Sequence, residues 1–410
     1  MLDALAHPIY RRLYLAQVVA LLGSGLATVA LGLMAYNLAG DRAAQVLGTA
    51  LAVKMVAYVT IAPVMEALVH RIPRKKVLIA ADLTRMVIAA CLPLVTETWQ
   101  IYPLIFLLQA SSATFTPLFQ SVVPDVLTDE DAYTGALSLS RLAHDVESIA
   151  SPMVAALLLL FIPATALFDG TAMGFAGSAL LVFSCAIPQR NPTNQETDTD
   201  QLSFPRRVRA GTTMMLTHPK LRPILALNMA PAAGGAFVIV QTVVIAQSRL
   251  GLGEEAVAWL LAAAGLGSIA AAFALPPLLR KVPDMPVMLC GAACVTVAVA
   301  AIVPTLLVSS VAIAVTMIAV LWALVGLGWA AAETPVGRIL RRHVPSADLP
   351  AVFAAQFSLS HACWLVTYPL VGWLGTYSMS LAAVVMAVLA GVGGIVAAIL
   401  WRSALPAGGQ

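Results

Sequence analysis

Residues 70–76 read His70-Arg71-Ile72-Pro73-Arg74-Lys75-Lys76, a basic knot set between two long apolar runs. So many cations cannot stay in hydrocarbon, so the stretch reads as a tight loop at a membrane surface. Its excess of Lys and Arg marks that surface as cytoplasmic. A weaker version, Arg280-Lys281-Val282-Pro283-Asp284-Met285-Pro286-Val287, follows 210 positions later. A loop that returns half a chain away in a polytopic protein points to duplicated halves, and so to a transporter.

The rest of the chain agrees with a membrane solvent. Of its 410 residues 60% are hydrophobic and only 10% charged, with a mean hydropathy of +0.91, which excludes an ordinary soluble domain. A helix crossing the ~30 Å hydrocarbon core needs about 20 apolar residues. Runs of that length predict an all-α polytopic membrane protein with twelve spans, near 14–37, 45–69, 77–97, 101–123, 135–161, 164–187, 223–248, 256–279, 286–307, 310–333, 351–374 and 377–401. The opening run is too long for a signal-peptide core and reads as the first span. With the N-terminus inside, the basic residues from Arg11 to Arg402 fall on one side, and only Arg42 and Arg249 on the other. That bias predicts a multi-pass protein of the bacterial cytoplasmic (inner) membrane with both termini cytoplasmic. It also accounts for the net charge of +3 without a nucleic-acid partner. The five cysteines, Cys91, Cys185, Cys290, Cys294 and Cys363, fall in predicted helices without a CxxC spacing, so neither a disulfide nor a zinc site is expected.

One long polar stretch divides the chain. Its acidic part, Asn191–Gln201, cannot bury apolar surface, and the basic part, Pro205-Arg206-Arg207-Val208-Arg209, reads as a short amphipathic helix on the membrane surface. The expected organisation is a six-helix bundle over 1–188, a cytoplasmic linker over 189–222, a second six-helix bundle over 223–402 and a tail over 403–410. The halves match further. Thr116-Pro117 recurs as Thr334-Pro335, Val123-Pro124 as Val344-Pro345, and Ser138-Leu139-Ser140-Arg141 as Ser358-Leu359-Ser360-His361, at offsets of 218 to 221. Six spans return the chain to the same side, so the two bundles form a parallel, pseudo-symmetric repeat.

Ionisable groups inside spans are costly and therefore candidates for function. Arg141, His144, Asp145 and Glu147 cluster on the fifth span. Arg141 and Asp145 are i,i+4, and His144 and Glu147 are i,i+3, so each pair shares a face. Buried carboxyls and imidazoles titrate nearer neutrality, where a proton carrier must work. The cluster reads either as a proton-coupling site centred on Glu147 and His144 or as a locked structural network. Asp82 and Arg85, i,i+3 on the third span, read as a mutually neutralised architectural pair. Lys54 either snorkels outward or serves as a counter-ion to Glu147 or to an anionic substrate. His361 reads as a hydrogen-bonded core histidine or a substrate-cavity group, and Glu333 as a gate charge at the cavity or an interfacial residue.

The order and spacing of these features resemble the major facilitator superfamily, and within it the bacterial drug and siderophore (enterobactin-type) efflux branch. The resemblance rests on Tyr10-Arg11-Arg12-Leu13 with Ala16-Gln17 and Leu22-Gly23, the 70–76 loop, Ala81-Asp82-Leu83-Thr84-Arg85, and Val123-Pro124-Asp125. The family's loop, Gly-x-Leu-x-Asp-Arg-x-Gly-Arg-Arg, latches the halves in the outward-open state through its Asp. Here Glu66, His70 and Pro73 replace Gly, Asp and Gly, while Arg71, Arg74 and Lys75 fit, so the resemblance implies a gating loop whose latch is altered or pH-dependent through His70. Ser151-Pro152 with Ala155-Ala156 resembles the family's antiporter motif with small residues for glycines. Phe106 stands where proton-coupled exporters often carry Arg, so the usual relay is absent or moved. The resemblance places Gln17, Ser24, Thr28, Tyr36, Asn37, Gln109, Ser111, Ser112, Thr114, Asn228, Gln241, Thr242, Trp322 and Trp329 near a substrate cavity; the alternative for each is helix–helix contact.

The leading expectation is a monomeric secondary transporter that exports a small amphipathic organic compound in exchange for protons by alternating access. The alternative is a transition-metal or metal-chelate transporter using His144, Asp145, Glu147, His361 and Cys363 as ligands. No nucleophile–base set, P-loop or cofactor motif supports an enzyme.

Overall fold

The computed structural model describes residues 2–69, 72–127, 150–187, 204–345 and 349–403, with positions 136, 139, 140, 143 and 147 between them. Every regular element among the described residues is helical. The long helices are α1 (Pro8–Ala39), α2 (Ala43–Val69), α3 (Arg74–Cys91), α4 (Thr98–Val126), α5 (described in part, within 136–158), and α6 (Ala166–Phe183). They continue with α7 (Phe204–Thr217), α8 (Arg222–Leu227), α9 (Met229–Val243), α10 (Glu254–Leu278) and α11 (Asp284–Ala300). The last four are α12 (Val311–Glu333), α13 (Val336–His343), α14 (Leu349–Tyr377) and α15 (Met379–Ser403).

Local chemistry sets the ends of these helices. Pro8 occupies the first turn of α1, where its missing N–H costs nothing. Gly40 ends α1 and Gly251 separates α9 from α10, both at positive φ (55° and 64°). At α4 the Gln100 side chain accepts from the Glu97 amide (3.1 Å) and the Glu97 side chain returns the contact, a reciprocal cap. Pro335 divides the tenth span from α13, whose last turn carries Arg341, Arg342 and His343.

Among the described residues, eight stretches are long and apolar enough to cross a bilayer, and the first, Pro8–Ile61, holds two helices. α4 and α14, at 29 residues each, add two more; at 1.5 Å per residue each reaches about 43 Å. With α5 this gives the twelve-helix membrane fold that the hydropathy predicts. The outward faces are apolar in keeping with a lipid solvent: Phe161 is 85% exposed and Phe273 80%.

The chain divides into two compact units, Met1–Asn191 with Ala246–Ala262, and Pro192–Ile245 with Ala263–Gln410. In the first, α1 packs on α6, and α3 on α6 and α4; in the second, α9 packs on α15, and α11 on α15 and α12. First-with-sixth, third-with-sixth and third-with-fourth contacts thus recur in the second half. The close crossings recur too. A Cβ on Gly174 of α6 would lie 3.0 Å from the Val19 carbonyl oxygen of α1. Its counterpart 219 positions on, Gly393 of α15, would meet the Ala226 carbonyl oxygen of α8 at 2.6 Å. Small residues at both places let membrane helices touch backbone to backbone, where dispersion rather than hydrophobicity drives association.

Candidate functional site

The first unit holds two polar centres. One is on α3, where Asp82 is fully buried and Arg85 nearly so. Arg85 Nη2 forms a short ion pair with Asp82 Oδ1, and the Ser178 hydroxyl of α6 donates to Asp82 Oδ2 at 2.7 Å. The guanidinium carbon lies 4.3 Å from the Phe115 ring centre and 4.5 Å from that of Phe175, held between two π faces. Three helices therefore enclose one charge pair, in the interior of the unit rather than in a loop. The Asp–Arg spacing is legible in the sequence; the serine and the two phenylalanines that complete the cage are not.

The second centre joins α1, α2 and α5. Glu147 and Ser151 are i,i+4 on one face of α5 and lie against the bare backbone of Gly25. A Cβ there would overlap the Ser151 side chain and come within 2.9 Å of Glu147 Oε1. Ser151 is buried, and its Oγ has no hydrogen-bond partner among the described residues. Lys54 of α2 is the cation whose charge acts on the Glu147 carboxylate, and its Nζ also stands 5.9 Å from the Tyr58 ring centre. Arg141, His144 and Asp145 lie outside the described residues, as do His70 and Arg71.

At one membrane face, cations of two helices hold the end of α6. Lys75 Nζ donates to the Cys185 carbonyl at 2.8 Å, and Arg12 Nη1 donates to that of Ser184 at 2.9 Å. Both satisfy orphan carbonyls at a helix C-terminus and oppose its dipole. Arg74 opens α3 and Glu66 falls in the last turns of α2.

Several expected cavity groups are occupied with one another. Gln17 is buried and accepts from the Ser140 hydroxyl at 2.7 Å. Thr28 and Ser112 donate to carbonyls of their own helices. Tyr36 accepts from Ser248 at 3.2 Å, and exposed Asn37 donates to Glu254 at 3.5 Å, all within the first unit. Gln109 is half-buried on α4.

In the second unit Asn228 and Gln356 exchange amide hydrogen bonds of 3.1 and 3.4 Å. Gln241 donates to the Val371 carbonyl at 2.9 Å, while its Oε1 is buried without a partner among the described residues. Trp322 has no exposed surface and donates to Thr242 at 2.7 Å. Trp329 packs at a tilt against Trp364 with ring centres 5.0 Å apart, and Trp364 against Tyr368 at 5.1 Å. His361 contacts the Phe357 carbonyl through Nδ1 (2.7 Å) and that residue's ring at 4.0 Å. Glu333 is the last residue of α12. Trp322, Thr242, Gln241, Asn228 and Gln17 each share a hydrogen bond with another helix, while Trp329 and His361 keep part of their surface open.

One ion cluster escaped the sequence reading. Asp284, at the start of α11, receives a 2.8 Å hydrogen bond from Arg342 Nη1 and lies 3.3 Å from Arg338 Nε in ionic contact. The i,i+4 spacing of the two arginines on α13 was its available signal.

Comparison with known proteins agrees with this architecture. The family described as Major Facilitator Superfamily matches residues 13–319. Macrolide efflux protein A of Streptococcus pyogenes is 25% identical over 221 residues, 53% of each chain. The protein of that name from Enterococcus faecalis is 26% identical over 176 residues, 42% of this chain and 53% of its own. The chain thus spans about half the length of the curated relatives it matches. Among solved structures, the nucleoside transporter NupG superposes with a TM-score of 0.73 at 12% identity, covering 95% of this chain and 99% of its own. A bacterial homologue of the lysosomal transporter Spinster, inward-facing and unoccupied, reaches 0.73 at 12% identity over 96% of both. Twelve apolar helices in duplicated bundles, a charge cage inside the first and a matching family over three-quarters of the length leave one assignment: the chain belongs to the major facilitator superfamily and is a multi-pass membrane protein.

Proposed function

We propose that this transporter exports a small amphipathic organic compound in exchange for protons, with Glu147 as the proton-carrying group. The observation that carries the reading is the centre at Gly25. There a carboxylate inside the membrane lies against the bare Gly25 backbone, within range of the Lys54 charge, and beside a buried hydroxyl without a partner among the described residues. A carboxyl that alternates between a neutral state and an ionised one can take up a proton from one side and give it to the other. The likeness to macrolide efflux proteins supports an organic substrate and the outward direction. The cation bias supports a bacterial inner-membrane protein with cytoplasmic termini.

The test is transport in proteoliposomes under an imposed pH gradient, with erythromycin and an organic cation as probes. Glu147→Gln should abolish gradient-driven accumulation while substrate–substrate counterflow persists, because only the proton step is removed. Unchanged accumulation in Glu147→Gln would sink the assignment. Counterflow of neither probe would reject the proposed substrate class.

A further inference from the structure

Two tryptophans lie on α12 of the second unit, and the fold treats them differently. Trp322 has no exposed surface, meets Phe237 edge-on and donates to Thr242, so it belongs to the core. Trp329 is only half-buried. Its open surface is not the lipid face of the helix. That face is the row Ile313, Met317, Val320, Leu324 and Leu327, all exposed. At about 100° of turn per residue, Trp329 stands about 120–180° around the helix from each of them. The aromatic surface left open here is therefore turned away from the bilayer.

Packing holds that surface in place. The Trp329 ring is tilted by 46° against Trp364, and Trp364 by 42° against Tyr368. Trp364 and Tyr368, both on α14, are buried and support Trp329 from one side. Gly235 of α9 supports it from another: a Cβ there would overlap the Trp364 ring and lie 2.9 Å from Trp329 Cζ3. Charge then decides what the seat suits. α9, α12 and α14 contain no Lys or Arg, one histidine (His361) and one carboxylate, Glu333. Glu333 follows Trp329 by four residues and is likewise half-buried, so the two share a face of α12 with Cβ atoms about 5–6 Å apart. At the C-terminal end of a membrane helix, both the apolar surroundings and the helix dipole disfavour a carboxylate. A cation beside it offsets both, and an indole face attracts the same charge.

We propose that Trp329 and Glu333, with Trp364 and Tyr368 behind them, bind an organic cation: a quaternary ammonium, a phosphonium or a protonated amine on an apolar body. This names the substrate class of the exporter proposed above and rests on that reading. The indole face receives the cationic centre, Glu333 balances its charge, and the apolar body covers the remaining ring surface. A neutral compound of the same shape gains only the burial. An anion meets both the carboxylate and the negative face of the ring.

Equilibrium binding of radiolabelled tetraphenylphosphonium to the purified protein in a neutral detergent tests this without a proton gradient. Binding should saturate. Triphenylphosphine oxide, which is neutral, and triphenylacetate, an anion, carry three of the same rings and should compete about tenfold less well than unlabelled tetraphenylphosphonium. Trp329→Leu should weaken binding about tenfold and Glu333→Gln about threefold. Trp329→Phe, which keeps a π face, should fall between the wild type and Trp329→Leu. Trp373→Leu, at an exposed tryptophan of α14, should bind as the wild type does. Absent or unsaturable binding, equal competition by the neutral compound, unchanged affinity in Trp329→Leu, or an equal loss in Trp373→Leu would each overturn the proposal. Should Trp329→Leu fail to fold, Glu333→Gln decides, and unchanged affinity there overturns it. The two readings fail separately. Erythromycin counterflow without tetraphenylphosphonium binding leaves the exporter and removes this site, whereas the expected binding pattern with unchanged accumulation in Glu147→Gln leaves the site and removes the proton role.

Discussion

Glu147 is seated against the backbone of Gly25, its Oε1 2.9 Å from the point that a Cβ on Gly25 would occupy. The close approach lets a carboxylate on α5 reach the α1 surface without a side chain between them. It also makes Gly25 the position at which the centre can be disturbed without touching a charge.

Gly25→Ala should therefore overpack the centre, because its methyl group would collide with the Ser151 side chain. Overpacking of this kind costs roughly 1–3 kcal/mol. We expect a lower melting temperature and lower gradient-driven transport. Gly25→Ala/Ser151→Gly, which vacates the colliding atoms, should regain most of the melting temperature. A single variant that matches the wild type in both assays would show that the two helices do not meet there.

The Asp82–Arg85 cage yields a stability prediction. Asp82→Ala strands a guanidinium that is nearly inaccessible to water, and breaking a buried pair from one side costs about 3–5 kcal/mol. Asp82→Leu/Arg85→Met removes both charges and should be clearly less harmful than the single change. Melting temperatures in one detergent decide this. A double variant less stable than Asp82→Ala would mean that the phenylalanines, not the ion pair, hold the site.

These two centres show where sequence reading reaches and where it stops. The span lengths are set by bilayer thickness, so apolar runs translate directly into helices, and α10, α12, α14 and α15 begin and end within about three residues of the predicted limits. The Asp82–Arg85 pairing follows from one turn of helix. Ser178 and Phe175 lie more than ninety residues further along the chain, and no local period announces them. The family resemblance puts Trp322 and Gln241 either at a substrate cavity or in helix–helix contact. Their partners, Thr242 and the Val371 carbonyl, are side-chain and backbone groups far away in sequence that no local pattern reveals. In a membrane, any polar side chain that faces a neighbouring helix satisfies the same sequence pattern as one that faces a substrate.

His218 gives a pH dependence. Burial first, then the charges of His343 and Lys220, hold its imidazole below the ordinary value of 6.5. The folded protein therefore binds fewer protons there than the unfolded chain does. Stability is unaffected above about pH 6.5 and falls as pH drops from that value toward the folded-state pKa. His218→Gln removes the titration, so its melting temperature should change less than the wild type's between pH 7.5 and 5.5. An equal or larger acid-side loss in the variant would contradict the shift.

The two arginines on Asp284 are not equivalent, and a double-mutant cycle can separate them. Arg342 offers Asp284 Oδ2 an aligned hydrogen bond at 2.8 Å, whereas Arg338 approaches Oδ1 at 3.3 Å without forming one. Arg338 also turns toward the Leu279 carbonyl at 3.4 Å. Exposure acts the other way, since the Arg342 side chain is 58% accessible and that of Arg338 38%. Alignment should decide, because Asp284 itself is buried and its best-directed partner replaces the water it has lost. We expect a coupling energy of about 1 kcal/mol between Asp284→Asn and Arg342→Gln, and a smaller one with Arg338→Gln. Thermal unfolding of the six proteins, wild type included, measures both. The reverse order would show that screening by water outweighs geometry at this rim.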